Sequence, residues 1–367
     1  LWVGDTKGNI YKLNPNETET ISTKPLVQVR GNVQAFYYAE NHLLIGGDYG
    51  FHIYDIINKK VRLIELSAAN EMVTKHVLAF LKNDESSVWI GTGNGIYLFD
   101  WVEQRILKKI LYSEDDKNGL SNGTVQALLK ISKNQLLVGT ANYPNLIDIG
   151  EQHFKNISKN LRGEHLLNDN VIFSILKDED DLWIGTSDGG LNLIRNSQNY
   201  YFKHNQNVIN GFSGTVIRGI VKDEINQRLW LATTRGLNMI DLKTFDPNNP
   251  KFFVLQHDPT NKNSINGDFL KDITLDNNNN LWGATYGHGI FRLEFKSKKD
   301  YQITRYTNNT TTQNTLKNDF TDCIAVDKEN NIWIGTQAGL SSLRFKTDDY
   351  QQPEFSNFSK IENDTTT

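Results

Sequence analysis

An all-β chain folded as a β-propeller of four-stranded blades, seven or eight in number, is what this sequence predicts. Three observations predict it. A short phrase (apolar, Trp, apolar, Gly, Thr, with a glycine a few residues on) returns along the chain. With its Trp or a substituting Leu as the mark, copies fall at positions 2, 44, 89, 137, 183, 230, 282 and 333, separated by 42 to 52 residues. That period belongs to repeat architectures, either helical pairs or four-stranded blades. Composition decides for blades: 18 Phe, 14 Tyr and 7 Trp stand against 2 Met and 7 Pro, and aromatic side chains suit strands.

Each unit reads the same way. Val171 to Leu176 is an apolar run short enough for a first strand buried on both faces. Lys177 to Asp181 is an acidic hairpin turn, not a calcium loop, since it lacks the alternating oxygen ligands, central Gly and distal Glu. Leu182-Trp183-Ile184-Gly185-Thr186 is the second strand, Leu191 to Ile194 the third, and the region around Tyr200 to His204 the fourth. Trp2, Trp89, Trp183, Trp230, Trp282 and Trp333 are structural anchors filling the wedge between neighbouring sheets. Leu44 and Leu137 keep two of these sites apolar with less volume. The Gly after the anchor admits a neighbouring backbone, and the Thr hydroxyl bonds a backbone group at the strand end. Gly95, Gly189, Gly236 and Gly339 are expected to supply a positive-φ turn into the third strand. Asn and Asp before each first strand, as in Ser121-Asn122-Gly123 and Asn318-Asp319, fix its entry.

Residues 1–360 are expected to form one propeller and 361–367 a tail or linker. The opening fragment lacks a first strand, so 31 strands are expected. The repeat already runs at residue 1, so the chain reads as a segment of something longer. A net charge of −4 without a basic block argues against nucleic acid. There is no apolar run of membrane-spanning length. The single cysteine, Cys323, reads as a small buried apolar residue in a strand. No metal, cofactor or catalytic constellation is signalled, and no unit carries an Asp or Glu that breaks the repeat.

Asn170 to Leu191, and more loosely Asp319 to Leu340, carry Asn-x-Val-x-x-Ile-x-x-Asp followed by Leu-Trp-Ile-Gly-Thr-x-x-Gly-Leu. This resembles the two-component regulator propeller repeat. The resemblance implies the extracytoplasmic sensor region of a hybrid two-component histidine kinase, many of them from gut Bacteroidetes. It implies a periplasmic position, an oligosaccharide or related ligand, and a homodimer in the full-length protein. Contact with a membrane would come only through segments absent here, and the segment itself would not be an enzyme. The alternatives are a protein-binding scaffold propeller without a small ligand, or a polysaccharide hydrolase or lyase.

Loops between second and third strands and loops before first strands should open on one face. There the sequence places Asp48, Tyr49, Asn94, Tyr143, Asp188, Arg235, Tyr286, His288 and Gln337. Aromatic rings and planar polar groups suit a sugar. The candidate ligand residues are Tyr143, Asp188, Arg218, Arg235, Tyr286 and His288. For Arg218 the bland reading is a channel arginine paired with a neighbouring blade's carboxylate. For His288, it is a solvated turn histidine.

Overall fold

The computed structural model describes residues 2–12, 25–64, 66, 76–116, 119–142, 144–150, 153–156, 167–169, 171–196, 198–204, 211–297, 300–312, 314–346, 350 and 352–358. Regular structure among them is all strand: 31 strands in eight antiparallel sheets, each a meander in chain order. The first sheet has three strands and the other seven have four, so the expected strand count and the higher blade count are both observed.

The chain divides into two compact units, Leu1–Leu166 and Leu167–Thr367. The first holds the three-stranded sheet β1 (Trp2–Gly4), β2 (Asn9–Lys12) and β3 (Val27–Gln28). Its other three blades run from β4 (Val33–Ala39) to β7 (Lys60–Ile64), from β8 (Val77–Lys82) to β11 (Arg105–Leu111), and from β12 (Val125–Ser132) to β15 (His153–Asn156). The second unit holds four blades. These are β16 (Ile172–Asp178) to β19 (Gln198–Phe202), β20 (Ile217–Asp223) to β23 (Phe253–Leu255), β24 (Leu270–Leu275) to β27 (Tyr301–Tyr306), and β28 (Thr321–Val326) to β31 (Pro353–Phe358).

The phrase makes the second strand of its blade, and its side chains do what their chemistry allows. Trp89, Trp183, Trp230, Trp282 and Trp333 are buried, as are Leu44 and Leu137. Trp230 packs with Leu270, Ile273 and Phe291 of the following blade, and Trp282 with Ile324 and Ile334 of its own successor. Gly185 leaves no room for a Cβ, which would lie 2.3 Å from Ser174 Oγ and 2.7 Å from Ile217 Cγ2. The threonine closes a loop: Thr92, Thr186, Thr233, Thr285 and Thr336 each donate Oγ1–H to the carbonyl that opens the third strand, at 2.7–2.9 Å. That carbonyl belongs to a glycine each time. The same glycine's N–H often reaches the next blade, as from Gly190 to Thr215 O (2.9 Å), Gly236 to Asp268 O (2.8 Å) and Gly289 to Asp319 O (2.9 Å).

Some expectations fail. First strands are not buried on both faces: no residue of β16 is fully buried, and Phe173 is exposed. Each is the edge of its sheet, hydrogen-bonded to one partner strand. The positive-φ residue of the 187–190 loop is Gly190 (φ 78°), not Gly189. Gly189 is needed for space, since a Cβ there would meet Asn168 Oδ1 at 2.2 Å. Cys323 is exposed, because it follows a bulge on an edge strand, with only its sulfur laid over Gly335. Burial of that sulfur, then the carboxylates of Asp272 and Asp322, push the thiol up. The acidic turn of Lys177 to Asp181 is a hairpin as expected, with Glu179 at φ 49°. Its flanking carboxylates are paired, Asp181 with Arg195 (2.6 Å) and Asp178 with Lys222 (2.5 Å). Tyr143, Asn170 and the 361–367 tail lie outside the described residues.

Candidate functional site

Every four-stranded sheet carries a β-bulge near the start of its first strand. In β16, Ile172 opposes Thr186 and Ser174 opposes Gly185, so Phe173 is the extra residue. A bulge aims its extra side chain away from the regular alternation. The residues so placed are Gln34, Leu78 and Gln126 in the first unit, and Phe173, Arg218, Lys271 and Asp322 in the second. The residue before each bulge is buried in most blades, as with Val77, Val125, Ile217, Leu270 and Thr321. The residue after it is Ala35, Ala79, Ala127, Ser174, Gly219, Asp272 or Cys323.

Asp272 breaks that small-residue column, contrary to the expectation that no carboxylate departs from the repeat. Its carboxylate accepts the N–H of Ile273 (2.9 Å) and, across to β28, that of Ile324 (3.0 Å). Burial raises its pKa against the lowering effect of those two bonds.

In the second unit the bulge residues join the residues that precede the first strands. The Arg218 guanidinium lies over Phe173 (4.7 Å to the centroid) and over Phe269 (5.5 Å). Phe269 meets Tyr286 at 5.5 Å, and Tyr286 meets Phe320 edge-on at 5.0 Å and 76°. Lys271 Nζ sits 5.4 Å from the Tyr286 ring and pairs with Asp322 at 2.8 Å. The row therefore runs Phe173, Arg218, Phe269, Tyr286, Phe320, with Phe173, Tyr286 and Phe320 about 40% exposed (42%, 39% and 40%). Backbone bonds hold it: Tyr286 N–H to Phe269 O, Gly287 N–H to Asp319 O, and a β-bridge between Tyr286 and Phe320.

Arg218 differs from its bland reading. It has no carboxylate partner among the described residues, and its Nε is buried without a hydrogen-bond acceptor. Phenyl rings take the place of the expected ion pair. An arginine lying over aromatic rings keeps its charge and can still offer its terminal N–H donors to another group.

The six sequence candidates separate. Arg218 and Tyr286 are both members of the row, joined through Phe269. His288 is exposed and turned elsewhere: its ring lies on Gly267 and stacks on His257 (6.4 Å, 15°). Arg235 is exposed, with its backbone held by Thr233 Oγ1 and Gln256. Asp188 is exposed, with its N–H bonded to Asp169 at 2.6 Å. None of these three contacts the row. Sequence reading missed Phe173, Phe269, Lys271, Phe320 and Asp322. Phe173, Lys271 and Asp322 are the extra residues of their bulges, and Phe269 and Phe320 come just before the first strands.

Comparison with known proteins follows the same lines. Residues 166–188 and 315–338 match the two-component regulator propeller family. Histidine kinase P4 of Formosa agariphila is 26% identical over 215 residues, covering 57% of this chain and 14% of that protein. An extracellular domain from B. thetaiotaomicron, described as part of a hybrid two-component system, superposes with a TM-score of 0.56 at 20% identity, over 86% of this chain and 38% of that one. The computationally designed Ika8 protein superposes at 0.54 with 12% identity, over 89% of this chain and 96% of its own. The chain thus spans a minor part of the two natural relatives. The blades, the recurring phrase and the two matched segments agree: this chain carries two-component regulator propeller repeats, at residues 166–188 and 315–338.

Proposed function

We propose that this chain is the sensor region of a hybrid two-component signalling protein, and that it binds a glycan or glycan-derived cue in the periplasm. The event passes on by rearranged pairing with a second copy to a histidine kinase elsewhere in the protein. The kinase likeness and the extracellular relative support the signalling context. The observation that carries ligand binding is the row of exposed Phe173, Tyr286 and Phe320 with half-buried Arg218 and Phe269. Rings beside oriented polar donors are what a sugar's apolar face and hydroxyls require. Large exposed apolar side chains in a continuous run mark an interaction site.

The test is thermal shift and calorimetry against a glycan panel, with Tyr286→Ala and Phe320→Ala beside the wild type. A ligand bound only by the folded state raises Tm with its concentration, by roughly 2.7 kcal/mol of stability at a hundred times Kd. Both variants are expected to weaken that shift. A panel without any shift, combined with concentration-dependent dimerisation alone, would replace this reading with the scaffold. Turnover of a glycan would replace it with the enzyme.

A further inference from the structure

We infer that the ligand of this row is an acidic saccharide, whose carboxylate or sulfate docks on Arg218. The inference rests on the glycan-binding reading and narrows it. Across the row the charges are Arg218, Lys271 and Asp322, and the last two neutralise each other at 2.8 Å. Asp272, on the first strand of the next blade, accepts the N–H groups of Ile273 and Ile324. Arg218 is the charged side chain of the row with no ion-pair partner among the described residues.

Its setting is built rather than incidental. The guanidinium lies over two rings, 4.7 Å from the Phe173 centroid and 5.5 Å from that of Phe269. The bulge at Ile217/Gly219 aims it out of the strand's alternation. Gly219 beside it carries no side chain that would cover it, and Ile217 before it is buried, anchoring the strand. Nε is buried, so a carboxylate or a sulfate would be taken through the two terminal Nη groups, which a guanidinium offers as paired N–H donors. The rings on either side and at Tyr286 and Phe320 then cover the sugar's apolar faces. A neutral sugar's hydroxyls can accept from the guanidinium, but without the charge assistance that a carboxylate or sulfate adds.

The experiment uses matched pairs on the intact chain. One pair is an oligogalacturonate and its carboxyl-reduced counterpart. The other is a sulfated carrageenan oligosaccharide and its desulfated form. Calorimetry is run on the wild type, Arg218→Gln and Arg218→Lys. One charged member is expected to bind at least tenfold tighter than its neutral partner, and which pair shows the gap identifies carboxylate or sulfate. Arg218→Gln should lower affinity for that member about 10- to 100-fold, the range of a charged hydrogen bond. Arg218→Lys should fall between, keeping charge without the fork.

Equal binding of charged and neutral members, unchanged in Arg218→Gln, would overturn the inference and leave glycan sensing standing. No binding by any glycan would overturn the sensing reading as well. Preference for a peptide with a free C-terminal carboxylate over both pairs would replace the saccharide by a peptide. If Arg218→Gln fails to show a folded-state melting transition, the wild-type charged/neutral gap and its weakening with salt decide the matter.

Discussion

Gly283 stands where other copies of the phrase have a branched apolar residue, and a Cβ there would meet its cross-strand neighbour. Ile184, Leu231 and Ile334 lie opposite Asn192, Asn238 and Ser341 on the third strand. Gly283 lies opposite Phe291, and a Cβ on it would come 2.3 Å from the ring's Cζ. The exchange also reverses a tie to the chain entering the blade. Asn238 accepts the N–H of Ser213 (3.0 Å) and donates to its Oγ (2.6 Å). In the Phe291 blade, Asn266 of the entering segment instead donates to Ile290 O at 3.1 Å. Gly283→Ile is therefore expected to destabilise by about 1–3 kcal/mol through overpacking. Gly283→Ile with Phe291→Asn should recover part of that loss, because it recreates the Ile184–Asn192 pair of the β16–β19 blade. Denaturant melts of the two variants check this, and equal losses in both would refute the pairing.

At the scale of the strand, the bulge explains which parts of the site were readable beforehand. The second strands, the threonine clamp and the loop order follow from the phrase itself. Arg218 and Tyr286 were readable as well, one by its odd charge in an apolar run and the other by its place in a loop. Phe173, Lys271 and Asp322 were not, because period-two alternation assigns a face and a bulge shifts that assignment by one residue. The exposure of Cys323 was hidden by the same shift. Asp272 offers a test of the strand column. Its pKa is raised by burial, with Cys323 of β28 beside it. The unfolded chain ionises near its ordinary value of about 3.9 while the folded chain still holds the proton. Stability from this group is therefore full below that value, falls as pH rises to the folded pKa, and stays at its lower level above it. Asp272→Asn removes the dependence and keeps an oxygen for the Ile324 N–H. The Tm of Asp272→Asn minus that of the wild type should rise between pH 4 and pH 7. Parallel profiles would show that the carboxylate is not desolvated.

At the scale of the molecule, stability in a repeated architecture is close to a sum of local units and the contacts between successive ones. The anchors should then differ by their surroundings rather than by residue type. Trp230 is 1% exposed and packs edge-on to Phe295 at 5.3 Å. Its cluster draws on two blades, including Leu237, Leu270 and Phe291. Trp2 occupies the same place in the phrase but lies on β1, the edge of the three-stranded sheet, and is only half-buried. Its neighbours are Tyr54 at 6.4 Å and Lys12 at 5.6 Å. Removing a large buried aromatic costs about 3–5 kcal/mol, and Trp230→Ala should reach that range. Trp2→Ala should cost less than half as much, since water already reaches the ring and fewer contacts are lost. Equilibrium denaturation of both variants gives the comparison, and hydrogen exchange locates it: exchange should quicken within the β20–β27 blades for Trp230→Ala, and within the first sheet for Trp2→Ala. Equal losses, or exchange that quickens throughout both units in either variant, would mean that the blades unfold as one body and that the local sum does not hold.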